Sequence, residues 1–275
     1  MLLKLDLELY IRGHPNDVGL TKVATFNIII IKNLNRKTFL ITSLGFLGWR
    51  DLAQFKIQKT YSISELTGKG LTDLYSLKIP LLKTVAKAFL EMQNEAKKEN
   101  ISIEIVSGYR SYNKQKTIWN RKFNSNAING LKIQKNIKKI IEYSTIPGTS
   151  RHHWGTDIDL IDGSKTKEGD VLITKKFNEK GTYWELKKWM DKNAENFGFV
   201  LAYTNDPGRK GFNYEPWHYS FAPISVPMLK SYLDLNLKEV LITSGLEGKE
   251  YLSHDFISKY IDEHILGINH ILKSF

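Results

Sequence analysis

Residues 150–159 read SRHHWGTDID, which places two histidines and two aspartates within ten positions. Asp157 and Asp159 alternate with aliphatic residues, so on a strand both carboxylates would share one face while the aliphatic side chains face the core. Gly155 lies between His152 and this strand, and its backbone freedom would let the chain fold back until the imidazole meets the carboxylates. The stretch therefore predicts a strand that begins beside half of a metal site.

Two further segments carry polar residues where a strand ends or a loop begins: SGYRS at 107–111 and EPWHYS at 215–220. Pro216 blocks a regular ladder bond, and a bulge there would let Glu215 and His218 point into one cleft. The chain has no cysteine, so histidine and carboxylate side chains must hold any metal. Together the three segments supply the residue types of a zinc hydrolase: three nitrogen or oxygen ligands, a general base and a cation for the oxyanion.

The surrounding pattern predicts an α+β fold with a small antiparallel sheet flanked by helices. Apolar residues at three- and four-residue spacing indicate an amphipathic helix opened by Pro80, and alternating isoleucines indicate a strand that ends at Gly108. Ser111 is the expected N-cap of the next helix, and the Asn-rich stretch 124–136 is expected to be a loop entering a helix. The further predicted elements are helices at 132–143 and 182–197, strands at 156–161, 199–203 and 217–219, and a mostly helical region from 226.

The chain of 275 residues has a formal charge of +11 and a pI near 9.4. A polyanionic partner such as nucleic acid, anionic lipid or an acidic cell-wall polymer would suit this charge. Lysines on solvated helix faces that merely keep the protein soluble are the simpler explanation. Basic residues are not interleaved with aromatic residues as in nucleic-acid-binding surfaces, so we expect no nucleic-acid partner.

The amino-terminal part, residues 1–60, is expected to be an extension with a signal or anchor segment at about 26–49. A basic stretch at 32–37 precedes a mostly apolar run at 38–49, which is the layout of a secretory signal peptide. About thirty residues precede this layout, so a translation start near Ile31, a buried strand and helix, and a membrane anchor all remain open. The expected domains that follow are 61–225, which carries the polar motifs, and a helical extension at 226–275.

The three polar motifs occur in a specific order, S-G-Y-R-S, then S-x-H-x-x-G-x-x-x-D, then E-x-W-H. In this order they resemble the zinc D-alanyl-D-alanine carboxypeptidases of the vancomycin-resistance type and the related L,D-carboxypeptidases. The resemblance spans about 71–223 and implies the hedgehog/D,D-peptidase fold. The closing YIDEHILGIN at 260–269 also resembles the tail of some longer members.

The resemblance implies a role for each matching residue. His152, Asp159 and His218 would hold one Zn²⁺ per chain. Glu215 would be the general base, which takes a proton from the attacking water and passes it to the leaving amine. Arg110 would stabilise the oxyanion or hold the substrate carbonyl.

The motifs also supply residues that would contact substrate. Ser150 and Gln115 resemble residues that grip the terminal peptide, and we expect Ser107 and Tyr109 of the SGYRS motif beside them. Asp157 departs from the family, which usually has a small alanine there. We expect Asp157 to accept a hydrogen bond from a ligand histidine, although lowering the metal's electrophilicity or serving as a substitute ligand are alternatives.

His153 occupies a variable position of the motif, where packing or hydrogen bonding at the rim is expected. The function implied by the resemblance is removal of the terminal D-alanine from peptidoglycan stem peptides by a zinc metallopeptidase. A related endopeptidase and a non-catalytic zinc-containing binding module are the alternatives, and the choice between D,D and L,D bonds is open. The implied substrate predicts a periplasmic or cell-envelope location with membrane association through the amino-terminal segment.

Overall fold

The computed structural model describes residues 60–70, 72–241 and 245–275 with their side chains and gives the backbone of two strands nearer the amino terminus. These are β1 (Leu2–Arg12) and β2 (Leu20–Ile31), which pair as an antiparallel hairpin. The chain divides into two compact units at Lys59. The candidate signal or anchor segment begins within β2, and its remainder, 32–49, lies outside the described residues. Among the helices that are described, none has the length and apolar character needed to cross a bilayer.

The second unit contains a four-stranded antiparallel sheet that carries all three polar motifs. Its strands are β3 (Ile103–Ser107), β4 (Asp157–Asp162), β5 (Phe199–Leu201) and β6 (His218–Phe221), in the order β3-β4-β6-β5. In this register Asp159 lies opposite Ser107 on one neighbour and opposite His218 on the other. Motifs that are more than a hundred positions apart in the chain therefore form one row across the sheet.

Helices surround this sheet, so the predicted α+β fold with a small antiparallel sheet is confirmed. The helices are α1 (Ile63–Leu66), α2 (Lys83–Lys97), α3 (Tyr112–Ile128), α4 (Ile133–Ile140), α5 (Trp184–Asn193), α6 (Ala222–Leu233), α7 (Leu237–Leu241) and α8 (His254–Tyr260). Helix α6 spans the boundary expected near 225, and Thr60–Phe275 forms one compact unit.

Two apolar clusters hold these layers together. The first lies between β4 and helices α2 and α5, where Ile158 and Leu160 pack with Phe89, Met92 and Trp189. Full burial of an aliphatic side chain of this size stabilises the fold by about 1.5–3 kcal/mol. The second joins α3 and α4 to the carboxy-terminal helices. Because Ile158 and Leu160 face the first cluster, the alternating aspartates of β4 face the other side of the sheet.

The predicted helix boundaries shift where side chains find tertiary partners. Ser111 caps α3 as predicted, since its hydroxyl accepts the N–H of Lys114. The loop expected over the Asn-rich stretch is wrong, because α3 continues to Ile128 and α4 starts at Ile133. The buried amide of Asn136 explains this, as it donates to the carbonyl of Phe123 and ties the two helices together.

The EPWH motif forms a turn, and the predicted bulge is wrong. The main-chain N–H of His218 donates to the carbonyl of Glu215 at 3.1 Å, and β6 begins only at His218. Pro216 is the second residue of this turn, a position that suits the fixed φ of proline. Trp217, expected within the strand, also lies in the turn. The reversal brings the side chains of Glu215 and His218 to the same side.

Candidate metal centre and its cleft

Three buried side chains from the middle of the sheet meet in one cluster. The Nε2 atom of His152 lies 3.3 Å from Oδ2 of Asp159, and Nδ1 of His218 lies 3.3 Å from Oδ1 of the same carboxylate. One potential ligand atom from each residue lies within 4.8 Å of the other two. The structure thus brings together the three residues that the resemblance proposes as ligands.

His152 reaches the cluster from a single 3₁₀ turn, Arg151–Trp154, that precedes β4. Gly155 ends this turn with φ +66°, a left-handed conformation that favours glycine, and the chain then enters the strand. The Nδ1 atom of His152 donates to the carbonyl of Gly108 at 2.8 Å. This hydrogen bond leaves the lone pair of Nε2 directed toward Asp159.

His218 presents its other ring nitrogen to the cluster. Its Nε2 donates to Oδ1 of Asp157 at 3.0 Å, which leaves Nδ1 facing both Asp159 and Glu215. Oε2 of Glu215 lies 3.3 Å from this nitrogen. Burial alone would lower the pKa of His218, but hydrogen bonds to Asp157 and Glu215 and the charge of Asp159 raise it to about 10. Such a pKa shows how strongly the three carboxylates favour positive charge at this point.

Asp157 lies behind His218, and each of its oxygens accepts two hydrogen bonds. Oδ1 accepts from His218 and from Nε of Arg151 at 2.8 Å, while Oδ2 accepts from the hydroxyls of Thr156 and Ser220. Burial would raise the pKa of Asp157, but the Arg151 guanidinium and the His218 ring hold it well below its ordinary value. Asp157 is thus a fully buried, paired carboxylate that orients the ring of His218.

Asp159 differs, because its Oδ1 atom is buried and has no hydrogen-bond partner among the residues that the structure describes. A buried carboxylate oxygen without a donor is costly unless a cation approaches it. Burial would raise the pKa of Asp159, and the neighbouring imidazoles of His152 and His218 lower it. Two imidazole nitrogens and one carboxylate oxygen form the donor set of three-ligand zinc sites, so these residues fit Zn²⁺.

Arg110 enters the same cleft at the end of β3. Its Nη1 donates to Oε1 of Gln115 and its Nη2 to Oγ of Ser107, both at 2.9 Å. Gln115 is fully buried, and its amide nitrogen donates to the carbonyl of Thr145. Gln115 and Ser107 therefore orient Arg110, and their contact with substrate stays a prediction.

Two further residues, Ser150 and Tyr109, were predicted to contact substrate. Ser150 lines the cleft, as expected. Tyr109 does not line it, and its hydroxyl lies 3.5 Å from the carbonyl of Gly70. At the end of strand β3 this side chain is turned toward another loop, and its contact with substrate stays a prediction.

His153 is fully buried, so the alternative of a position at the rim is wrong. Its Nε2 accepts the N–H of Gly148 at 3.1 Å, and its Nδ1 donates to the carbonyl of Arg110 at 2.6 Å. Burial lowers the pKa of His153 to about 4, against the opposing effect of the hydrogen bond to Arg110. A neutral imidazole thus connects the SRHH motif with the main chain of the SGYRS motif.

A cleft of about 570 Å³ opens above the cluster. Asp159 and Glu215 lie on its floor together with His152 and His218, and Arg110 stands at one side. The reading of the sequence did not identify Arg151, Arg121 or Lys122, although all three line the cleft. An arginine within a buried polar motif requires a carboxylate partner, and this signal could have identified Arg151.

Comparison with known proteins gives consistent matches over the second unit. The family model "VanY: D-alanyl-D-alanine carboxypeptidase" matches residues 78–224. YodJ of Bacillus subtilis (strain 168) is 29% identical over 190 residues, which are 68% of this chain and 63% of that protein. The D-alanyl-D-alanine carboxypeptidase of Enterococcus faecium is 28% identical over 196 residues, which are 68% of this chain and 54% of that protein. The chain thus spans less than two thirds of the length of either relative.

A solved structure of VanYB in complex with D-alanine-D-alanine is also similar. It is 22% identical, with a TM-score of 0.46, and the match covers 64% of this chain and 91% of that one. The family model covers more than half of the chain, from just before α2 to the start of α6, and includes every residue of the cluster and Arg110. The chain is therefore a member of the VanY family of D-alanyl-D-alanine carboxypeptidases.

Proposed function

We propose that this protein is a zinc-dependent carboxypeptidase that removes the terminal D-alanine from peptidoglycan stem peptides. The observation that carries this proposal is the meeting of two sets of groups in one cleft. A His-Asp-His cluster suited to Zn²⁺ lies beside a carboxylate that is not needed as a ligand, Glu215, and a fixed cation, Arg110. This combination is the minimum needed for hydrolysis of a peptide bond by an activated water.

The ligand residues would be His152 through Nε2, His218 through Nδ1 and Asp159 through its carboxylate. Zinc bound there would supply a Lewis acid that polarises the scissile carbonyl and lowers the pKa of water. The hydrogen bonds from His152 to Gly108 and from His218 to Asp157 keep both rings in place when substrate enters.

Glu215 would move the proton. Its Oε2 atom lies beside the ligand nitrogen of His218, so it reaches the same space without being required as a fourth ligand. The carboxylate would accept a proton from the attacking water and donate it to the leaving amine of D-alanine. Glu215→Gln preserves shape and removes the base, so the variant should retain zinc while kcat falls about 10²- to 10⁴-fold.

Arg110 would bind the scissile carbonyl oxygen as negative charge develops on it. Gln115 and Ser107 each occupy one terminal nitrogen of the guanidinium, which has five N–H donors in total. The remaining N–H groups of Arg110 have no hydrogen-bond acceptor among the described residues, so they are available to substrate. Donors held in position before the reaction stabilise a transition state without further reorganisation.

The substrate class suggests where the protein works. Stem peptides lie outside the cytoplasmic membrane, so the proposal includes a periplasmic or cell-envelope location and membrane association through the amino-terminal segment. The positive net charge suits a wall that carries stem carboxylates.

Zinc analysis of the purified protein, followed by mass spectrometry of defined muropeptides, tests the proposal. Loss of one D-alanine from a pentapeptide supports D,D-carboxypeptidase activity, and loss from a tetrapeptide supports the L,D alternative. Cleavage of cross-linked dimers would support an endopeptidase instead. Stoichiometric zinc without turnover of any muropeptide would contradict the enzyme and support a binding module.

A further inference from the structure

The α3 wall of the cleft is more basic than the proposed chemistry requires. Ile118, Arg121 and Lys122 follow one another at helical spacing and all line the cleft. Gln115, one turn earlier, holds Arg110. Helical side chains lean toward the N-terminal end of their helix, so those of Arg121 and Lys122 lean toward the end that holds Arg110. The wall therefore presents two cations beyond the one that serves the scissile carbonyl.

Lys122 is half-buried, yet it has no carboxylate partner within 4.0 Å in the part of the chain that the structure describes. Its Nζ atom instead donates to Oγ of Ser144 at 2.5 Å. Lys187 provides the contrast, because its buried ammonium pairs with Asp191. Partial burial of an ammonium without an anionic partner is unfavourable, so binding of an anionic ligand beside Lys122 would be stabilising.

The residues around Lys122 strengthen its preference for an anionic ligand. Burial lowers the pKa of Lys122, and the charges of Arg121 and Arg110 lower it further, while Glu215 and Asp170 oppose them. Positive neighbours on the same wall raise the local potential and attract negative charge into a cleft. A ligand carboxylate between Lys122 and Arg121 would relieve their repulsion.

In a carboxypeptidase substrate, the terminal carboxylate is one residue, or about 3.8 Å, from the scissile carbonyl. If Arg110 binds that carbonyl, the carboxylate lies within reach of the neighbouring wall. We propose, on the basis of the function proposed above, that Lys122 binds the terminal carboxylate of the peptide, with Arg121 beside it. Lys122 is then a specificity residue that selects free carboxyl termini over peptide bonds inside a chain.

Paired substrates test this assignment: the stem peptide that the wild type hydrolyses, with a free terminal carboxylate or with a terminal carboxamide. The wild type should prefer the free acid in kcat/KM about tenfold or more. Lys122→Met should lower kcat/KM for the acid about ten- to hundredfold, as expected for loss of a charge-assisted hydrogen bond, and change that for the amide little. Lys122→Arg should retain most of the preference.

Lys114→Met is the matched control, because Lys114 is an exposed lysine on the same helix and does not line the cleft. It should behave as the wild type. An unchanged acid preference in Lys122→Met would overturn the inference, and so would an equal loss on acid and amide, since that pattern reports a change in the fold. A wild type that hydrolyses no peptide would overturn the proposed function and this inference together, whereas the preceding outcomes leave the function intact.

Discussion

The floor of the cleft and its α3 wall are both polar, but their charges are arranged in opposite ways. Behind the floor residue His218, Asp157 is fully buried and its two oxygens accept four hydrogen bonds, including those from Arg151 and His218. On the wall, Lys122 contacts a hydroxyl and no carboxylate among the described residues. Internal pairing fixes the floor groups before any ligand binds, whereas the wall charge remains available for one.

Removal of a proposed zinc ligand on the floor should have the largest effect on zinc binding and on kcat/KM. His152→Ala should abolish zinc binding and lower kcat/KM about 10⁴-fold or more, because a metal contributes several kcal/mol to transition-state stabilisation. His153→Gln, at the adjacent position, should retain zinc, because both ring nitrogens of His153 are hydrogen-bonded to main-chain atoms, those of Gly148 and Arg110. Zinc analysis and kcat/KM of both variants provide the measurement, and zinc retained by His152→Ala would contradict the proposed ligand set.

Removal of the buried charge of Asp157, behind the floor, should have the next largest effect, on the free energy of unfolding and on zinc affinity. Asp157→Asn leaves the buried guanidinium of Arg151 without its partner, at a cost of about 3–5 kcal/mol in the free energy of unfolding. Zinc affinity should also fall about 10- to 100-fold, since the carboxylate orients His218.

An exposed pair supplies the control for Asp157. Asp73 pairs with Lys83 at 2.8 Å on the surface, so Asp73→Asn should cost less than about 1 kcal/mol. Urea unfolding and zinc titration of both variants compare buried with exposed charge. Similar losses in the two variants would show that the floor is not held by its internal pairs.

The smallest expected effect is on the free energy of unfolding, at the loop that contains Ile146 and Thr149 and leads into the floor. The hydroxyl of Tyr260 accepts the N–H of Ile146 at 3.1 Å and lies 3.0 Å from the hydroxyl of Thr149. Tyr260→Phe leaves the buried N–H of Ile146 without its partner and should lower the free energy of unfolding by about 1–3 kcal/mol with zinc retained. Tyr251→Phe, at an exposed tyrosine, should change it little. An unaltered unfolding midpoint in Tyr260→Phe would show that the carboxy-terminal helices do not stabilise this loop.

Local signals predicted much of the fold around the site. Ser111 as an N-cap, Gly155 as the end of a turn and the alternation along β4 follow from the properties of single residues or short patterns. The resemblance of three motifs in order added the ligand set, which the register of β4 with its neighbours then brings together. Such features depend little on the rest of the chain.

Other features depend on partners outside the local pattern, and local signals did not predict them. The hydrogen bonds of the Gln115 amide with Arg110 and with the carbonyl of Thr145 are one example. The Asn-rich stretch was expected to be a loop, but Asn136 is buried against α3. Lys122 was not identified, since packing alone decides which face of α3 borders the cleft.

Asp157 and Asp159 show most directly what each level determined. The sequence by itself put both carboxylates on one face of a strand, next to a histidine and without any cysteine to replace them. Alternation alone makes the two equivalent, and only the family resemblance singled out Asp159 as the expected ligand. The tertiary structure placed Arg151, Thr156 and Ser220 around Asp157 and left an oxygen of Asp159 without a donor. Asp159 is therefore the carboxylate that a metal ion can bind, because no hydrogen-bond donor must first be displaced from its Oδ1 atom.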